Sequence, residues 1–234
     1  MSQPKYAELK GDFAVKKRGV AGAFGALFNA TSGNLNLSVT QEKVKSNGNT
    51  GGTIATFESD RSASLEVTLH SRHVDNLKML TLANSVDVAA GVAVAVTVPA
   101  MKAGEIVPLG LKNITALTLG ALVEGVDFKL FKKSGVIQAI VDCEADVGTA
   151  SHGVYTKLGV FSAEAGEYEV LFFSEKTGQS YHFYNGKASP SGALSLIQDG
   201  NGVGTATLVF ELQLDETAPV DGDLGQYGRA YDVA

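Results

Sequence analysis

The sequence predicts a mainly β fold, a sandwich or open barrel with one packed helix, and three observations carry that prediction. Ala63, Leu65, Val67 and Leu69 alternate with Ser64, Glu66, Thr68 and His70, the period of two of a strand with one dry face. Over 74–83 the period becomes helical, with Val74, Leu77 and Leu80 on one stripe widened by Met79 and Leu82. The 27 glycines against 5 prolines supply many turns, with no Gly-X-Y period to suggest collagen.

Taken in order, MSQPKYAELK (1–10) has no clean period and reads as an arm. FAVKKRGV (13–20) opens a first strand and GAFGALFN (22–29) a second. In the next strand Leu35, Leu37 and Val39 alternate with Asn36, Ser38 and Thr40. Residues 41–57 form a long hairpin loop whose tip is Ser46, Asn47, Gly48, Asn49, Thr50, Gly51 and Gly52; Asn47-Gly48 suits a tight primed turn. The flanking Val44, Ile54 and Phe57 are too few to make a core, so the excursion is expected to lie against another molecule. The helix near 73–84 starts with Asp75 and Asn76, side chains suited to free N–H groups, and is short enough to need a sheet to pack on.

Valines at 86, 88, 92, 94, 96 and 98, spaced by alanine and other small residues, predict a strand covered on both faces. EIVPL (105–109) is expected at an edge because of Pro108, and ITALTL (114–119) as a further strand. VDFKL and VIQAIVD form a hairpin across Lys132-Lys133-Ser134-Gly135. DCEADVGTASHG (142–153) reads as a break. Then come VYTKLGVF (154–161), the aromatic arms of 165–186 joined at Glu175–Gly178, GALSLIQ (192–198) and VGTATLVFELQL (203–214). In the last strand Ala206, Leu208, Phe210 and Leu212 make the dry face. The end, 215–234, is rich in glycine and aspartate and reads as a second arm. No linker stands out, so one domain is expected over 13–214, between arms 1–12 and 215–234.

At 234 residues with a net charge of −6, the chain can bury a large core and disfavours tight phosphate binding. Its single cysteine, Cys143, cannot form an intrachain disulfide and sits among apolar residues as a bland thiol. Lys16-Lys17-Arg18 before GVAGAFGALFNA is a poor signal peptide, since Glu8 and Asp12 precede it and glycine thins the apolar part. Residues 88–101 are too short and valine-rich for a spanning helix, and no membrane role is expected.

Catalytic and metal constellations are weak. His70 and His73 would need Asp75 as a third ligand, with strand and helix-start roles as the simpler reading. Asp142, Glu144 and Asp146 have calcium-loop spacing without the loop's glycine or distal glutamate. No nucleophile elbow, P-loop or dinucleotide fingerprint occurs, and no enzyme activity or cofactor is expected. Tyr168, Phe172, Tyr181 and Tyr184 leave a carbohydrate-binding sandwich as an outside reading.

Several stretches, in order, resemble the major tail tube proteins of long-tailed, siphovirus-like bacteriophages. They are GNLNLSVTQEKV, the glycine-rich 46–52, SASLEVTLHS, VDNLKMLTLAN, VEGVDFKLFKKSGVIQAI, the aromatic strands 166–185 and GALSLIQDGNGVGTATLVFELQLDE. The resemblance spans roughly 15–217. It implies a β-sandwich subunit that closes into a hexameric ring, with strands of every copy joining one inner barrel and rings stacking into a tube. Its implied partners are copies of itself, a tape-measure protein, the tail terminator, tail-tip or baseplate hub proteins, and double-stranded DNA in transit without sequence preference. The implied location is the virion tail, after assembly in the host cytoplasm. Within that frame Ser64, Glu66, Thr68 and His70 are expected to face the lumen, 46–52 to reach the next ring, and Tyr6, Tyr227 and Tyr231 to anchor the arms. Other readings are a tail terminator, minor tail or capsid decoration protein, or a hexameric secretion-tube protein.

Overall fold

The structure is a computed structural model that describes residues 10–27, 29–45, 53–70, 73–192, 204–218 and 225–231. Its elements are β1 (Asp12–Lys17), β2 (Gly25–Ala26), β3 (Ala30–Lys45), β4 (Thr53–Leu69), α1 (Val74–Leu80), β5 (Asn84–Val88), β6 (Gly91–Val98), β7 (Ile106–Pro108), β8 (Ile114–Leu119), β9 (Phe128–Phe131), β10 (Val136–Ala139), β11 (Asp146–His152), β12 (Tyr155–Gly159), β13 (Glu167–Phe173), β14 (Ser180–Ser191), β15 (Ala206–Leu212) and β16 (Gly228–Tyr231). The tip 46–52, Tyr6, and the expected strand over 193–198 lie outside the described residues.

Where the sequence reading expects one domain over 13–214, the chain divides into two units. Residues 85–158 form the second, inserted between the two parts of the first. No composition shift marks the insertion because its ends need no loose linker: β5 pairs with β12.

The first unit is one antiparallel sheet in the order β2-β1-β13-β14-β15-β4-β3, with β16 added to β14. The alternation read from the sequence sets its two faces. Leu65 stands opposite Phe210, and Val67 opposite Leu208, in one ladder. These side chains are fully or almost fully buried with Val170, Phe172, Phe183 and Ala188. The sheet curls, so that Phe13 of β1 meets Gly33 of β3 from the far end of the strand order. Curling lets one sheet enclose its own core.

A Cβ at Gly33 would run into the Phe13 ring, which is itself held against Phe172 at 5.0 Å between centroids. We therefore expect Gly33→Ala to cost about 1–3 kcal/mol by overpacking. A denaturant melt should show a lower midpoint with an unchanged slope.

Helix α1 packs on β14 and β15 and adds Met79 and Leu80 to the same core. Its buried face is Asn76, Met79 and Leu80, not the expected Val74–Leu77–Leu80 stripe. The helix is only seven residues long. Its single inward face is set by one i, i+3, i+4 step, and the apolar count of the surrounding stretch had spread the stripe too widely. His73 caps the start by accepting from the Asp75 N–H, and Thr81 closes the end by donating to the Leu77 carbonyl at 2.6 Å.

The second unit holds two three-stranded sheets, β7-β10-β9 and β6-β11-β8. Phe128, Ile137, Val98, Met101 and Ile114 share its core. As expected, β7 with Pro108 is an edge and β9–β10 is a hairpin. Two expectations need correction. The valine run is two strands broken after Val88, and it is not dry on both faces: Val96 and Val98 are buried while Val92 is 85% exposed. The expected break over 142–153 contains β11, the central strand of its sheet. Gly148 and Ala150 disguised it, yet small residues are what this position needs, because a Cβ at 148 would strike the Thr118 carbonyl.

Candidate functional site

The Ser64 face of β4 is continuous with its neighbours. Asn36, Ser64 and Glu211 stand in one cross-strand row, and Asn34, Glu66 and Val209 in the next. Ser189 of β14 extends the second row beside Val209, and Lys187 lies beside Glu211. This is a sheet face of amides, hydroxyls and two carboxylates, with Lys187 its one cation among these paired residues. Ser64, Glu66 and Thr68 lie on that face and are half-buried. His70 lies just past the strand end, its N–H bonded to the Asn29 carbonyl, and its Nδ1 has no hydrogen-bond partner among the described residues.

The same sheet ends in a strand with one side open. β3 is 16 residues long and among the described residues pairs only with β4. Beyond Gly33, where the Phe13 contact ends, it runs on with Leu35, Leu37 and Val39 exposed; Leu37 reaches 73%. Unpaired N–H and C=O groups beside exposed apolar side chains are the usual template for adding another strand.

Near the Thr40–Gln41 step the β3–β4 register slips. Thr40 pairs with Asp60 but Gln41 pairs with Glu58, leaving Ser59 as an extra residue. The bulge shifts the alternation of β4 by one, so the odd-numbered Phe57 leaves the side of Ala63 and Arg61 and joins Val44, which lies opposite Leu37 and Val39 by the ordinary alternation of β3. Sequence reasoning counted these residues without noticing the slip. Nothing local marks the slip, because Phe57 keeps the odd numbering of Ala63 and Leu65 and only the pairing with β3 shows that it has changed sides.

Under the hairpin lies a trough of about 600 Å³, lined by Leu37, Val39, Arg61, Tyr181, Leu212 and Tyr227, among others. Its far wall is β16, so the expected C-terminal arm is in part a sheet strand. Tyr181 pairs with Ala230, and His182 with Arg229. The Arg229 guanidinium lies over the Tyr184 ring at 5.6 Å, pinning the short strand to β14. Tyr227 is half-buried in the trough and Tyr231 is exposed.

A second clamp holds the start of that segment. Arg18 donates to Asp215 through Nη2 at 2.8 Å and Nε at 3.1 Å, and to Glu167 through Nη1 at 2.9 Å. Thr217 adds two bonds to Asp215 Oδ1. The Arg18 fork, then Thr217, holds the buried Asp215 carboxyl well below the usual carboxylate range. A depressed carboxylate contributes stability above its unfolded value near ~3.9, and loses it as pH falls toward the folded value. Asp215→Ala should thus lower Tm by roughly 3–6 °C at pH 7. The gap from wild type should narrow steadily below pH ~4, as thermal melts across pH would show.

The residues considered for chemistry do other work. His73 caps α1, and Asp75 lies 3.4 Å from Lys78. Asp146 accepts from the backbone of Ala121, Leu122 and Val147, which lowers its pKa, while Asp142 accepts from Ala103. Among the described residues no three His, Cys, Asp or Glu side chains are grouped to hold a metal. The Cys143 thiol is buried and donates toward the Val141 carbonyl, and burial pushes its pKa up. Of the aromatics in the sugar-binding reading, Tyr168 stands edge-on to Phe210, Tyr181 stacks on Phe183 and Phe172 is buried, so these three serve the core, while Tyr184 lies against His182 and Arg229 on the other face. No helix among the described residues is long and apolar enough to cross a membrane.

A sequence-family model described as "Protein of unknown function UCP028589" matches residues 6–231. The chain belongs to this family. The UCP028589 match runs through both units, so the segment 85–158 lies within the span that defines the family. A search of curated proteins found no match.

Proposed function

We propose that this protein is the repeating subunit of a phage tail tube, a structural virion component that closes into hexameric rings and stacks into a conduit for DNA. The observation that carries the reading is β3: a long strand at the margin of a curled sheet, with one partner among the described residues and exposed Leu35, Leu37 and Val39. Pairing margin to margin around a ring satisfies those backbone groups and leaves no open edge.

The polar face supports the same reading. A bore lined by Ser64, Glu66, Thr68, Asn34 and Asn36 offers DNA hydroxyls, amides and a carboxylate. A cationic lining would neutralise phosphates and hold the duplex, whereas this one lets it pass. In this arrangement a tape-measure protein fills the bore before DNA does. A terminator and a tail-tip hub close the two ends.

Negative-stain microscopy of concentrated protein tests the proposal. Long hollow rods of uniform width are the expected result. A species that sediments as a monomer at every concentration would overturn it.

A further inference from the structure

The outer face of the β7-β10-β9 sheet, in the second unit, is apolar in its middle and cationic at one end. Val107, Ile137 and Leu130 stand in one row on the core side. The opposite side therefore carries two rows, Ile106–Gln138–Lys129 and Pro108–Val136–Phe131. Ile106 is 61% exposed, and Pro108 and Phe131 are exposed beside the half-buried Val136.

Backbone bonds fix the charge at the end of that face. In the turn after Phe131, the carbonyls of Lys132 and Lys133 accept from the Ile114 and Asn113 N–H groups at 2.8 and 3.2 Å. A Cβ at Gly135 would strike the Leu111 carbonyl, so the two loops are in direct contact. Lys112 reaches across to the Ser134 carbonyl at 2.5 Å, and the Lys129 ammonium lies over the Phe131 ring at 5.1 Å. All four lysines are exposed, and none is ion-paired among the described residues. The carboxylates that flank these strands in sequence, Glu105, Asp127 and Asp142, lie at the end away from Lys132 and Lys133. Each accepts a backbone N–H, from Lys102, Val123 and Ala103 respectively.

We infer that this face rests on an anionic lipid surface, with Ile106, Pro108, Val136 and Phe131 at the headgroup–acyl boundary and the four lysines among the headgroup phosphates. Lysine is a point charge without the fork that reads one phosphate or carboxylate, so a cluster of lysines suits a diffuse plane of charge. The floor is mainly aliphatic, and the one aromatic ring already carries the Lys129 ammonium, which leaves no open platform for stacking a base. Apolar side chains combined with a basic cluster are the two signals that peripheral attachment requires, and no spanning helix is involved. The inference stands apart from the tube reading, because a single folded chain carries the whole face.

The test is co-sedimentation of the full chain with vesicles of phosphatidylcholine alone and of phosphatidylcholine mixed with phosphatidylglycerol. Wild type should sediment only with the anionic vesicles, and less of it as salt rises. The double variant Lys132→Gln, Lys133→Gln should bind about 10–30-fold more weakly. Ile106→Ser should also bind more weakly, whereas Lys17→Gln, at an exposed lysine of the first unit, should bind as wild type does. Melting curves of each variant verify that the fold is kept. Failure to sediment with anionic vesicles would overturn the inference. An equal loss in Lys17→Gln would also count against it, since net charge and not this face would then be at work. Tighter binding to oligothymidylate than to vesicles, lost in the double variant, would transfer the face to nucleic acid.

Discussion

Proline introduced singly at Asn36 and at Leu37 should separate folding from assembly. Adjacent residues of a strand point their N–H groups to opposite sides, so one of these two donates toward β4 and the other toward the open margin. Both positions lie in the paired part of β3, opposite Ser64 and Ala63. Proline at the inward position removes a ladder bond and should destabilise the first unit by about 1–3 kcal/mol. At the outward position proline is the residue edge strands tolerate, and the isolated subunit should melt within ~0.5 kcal/mol of wild type. That second variant should nevertheless form no rods, because the missing donor and the ring clash block the incoming strand. Melting curves and electron micrographs of both variants give the answer. Two variants that melt differently yet both polymerise normally would show that β3 is not a joint.

Phe210→Ala should be the most damaging single truncation of the first unit. Phe210 is fully buried, pairs across the ladder with Leu65 and Ala188, and takes the Tyr168 ring edge-on at 6.3 Å. Removing the ring forfeits its transfer free energy and leaves a cavity between strands that cannot collapse far, at a cost of about 3–5 kcal/mol. Because residues 85–158 hold a separate core around Phe128 and Ile137, their unfolding should move little. Calorimetry should show one transition lowered by roughly 6–15 °C and a second within a degree or two of its original place. Both transitions falling together would mean that the two units melt as one.

Local periodicity made much of this legible in the sequence. The face of β4 could be read from eight residues, because strand alternation leaves no freedom once one side is buried; β8 and the dry side of β15 followed for the same reason. What escaped depends on partners distant in sequence. β16 is four residues of Gly, Arg, Ala and Tyr, and nothing local marks it as a strand until β14 supplies the ladder. β11 needs glycine at 148 because the Thr118 carbonyl lies so close, a fact that belongs to another strand. Asn76 faces inward on α1, where a polar side chain would not be placed from pattern alone. The polar face of the candidate site was readable strand by strand. The trough was not, since its walls run from Leu35 to Ala230, 195 positions apart, and the Ser59 slip that turns Phe57 away from the trough shows only when both arms are laid side by side.

Cryo-microscopy of assembled rods bears most directly on the central claim. The proposal predicts a hollow axis lined by Ser64, Glu66 and Thr68, with the outer side of β3 beyond Gly33 bonded to a strand of the adjacent copy. Rods in which that side of β3 faces solvent, or whose bore is lined by lysine and arginine, would contradict it.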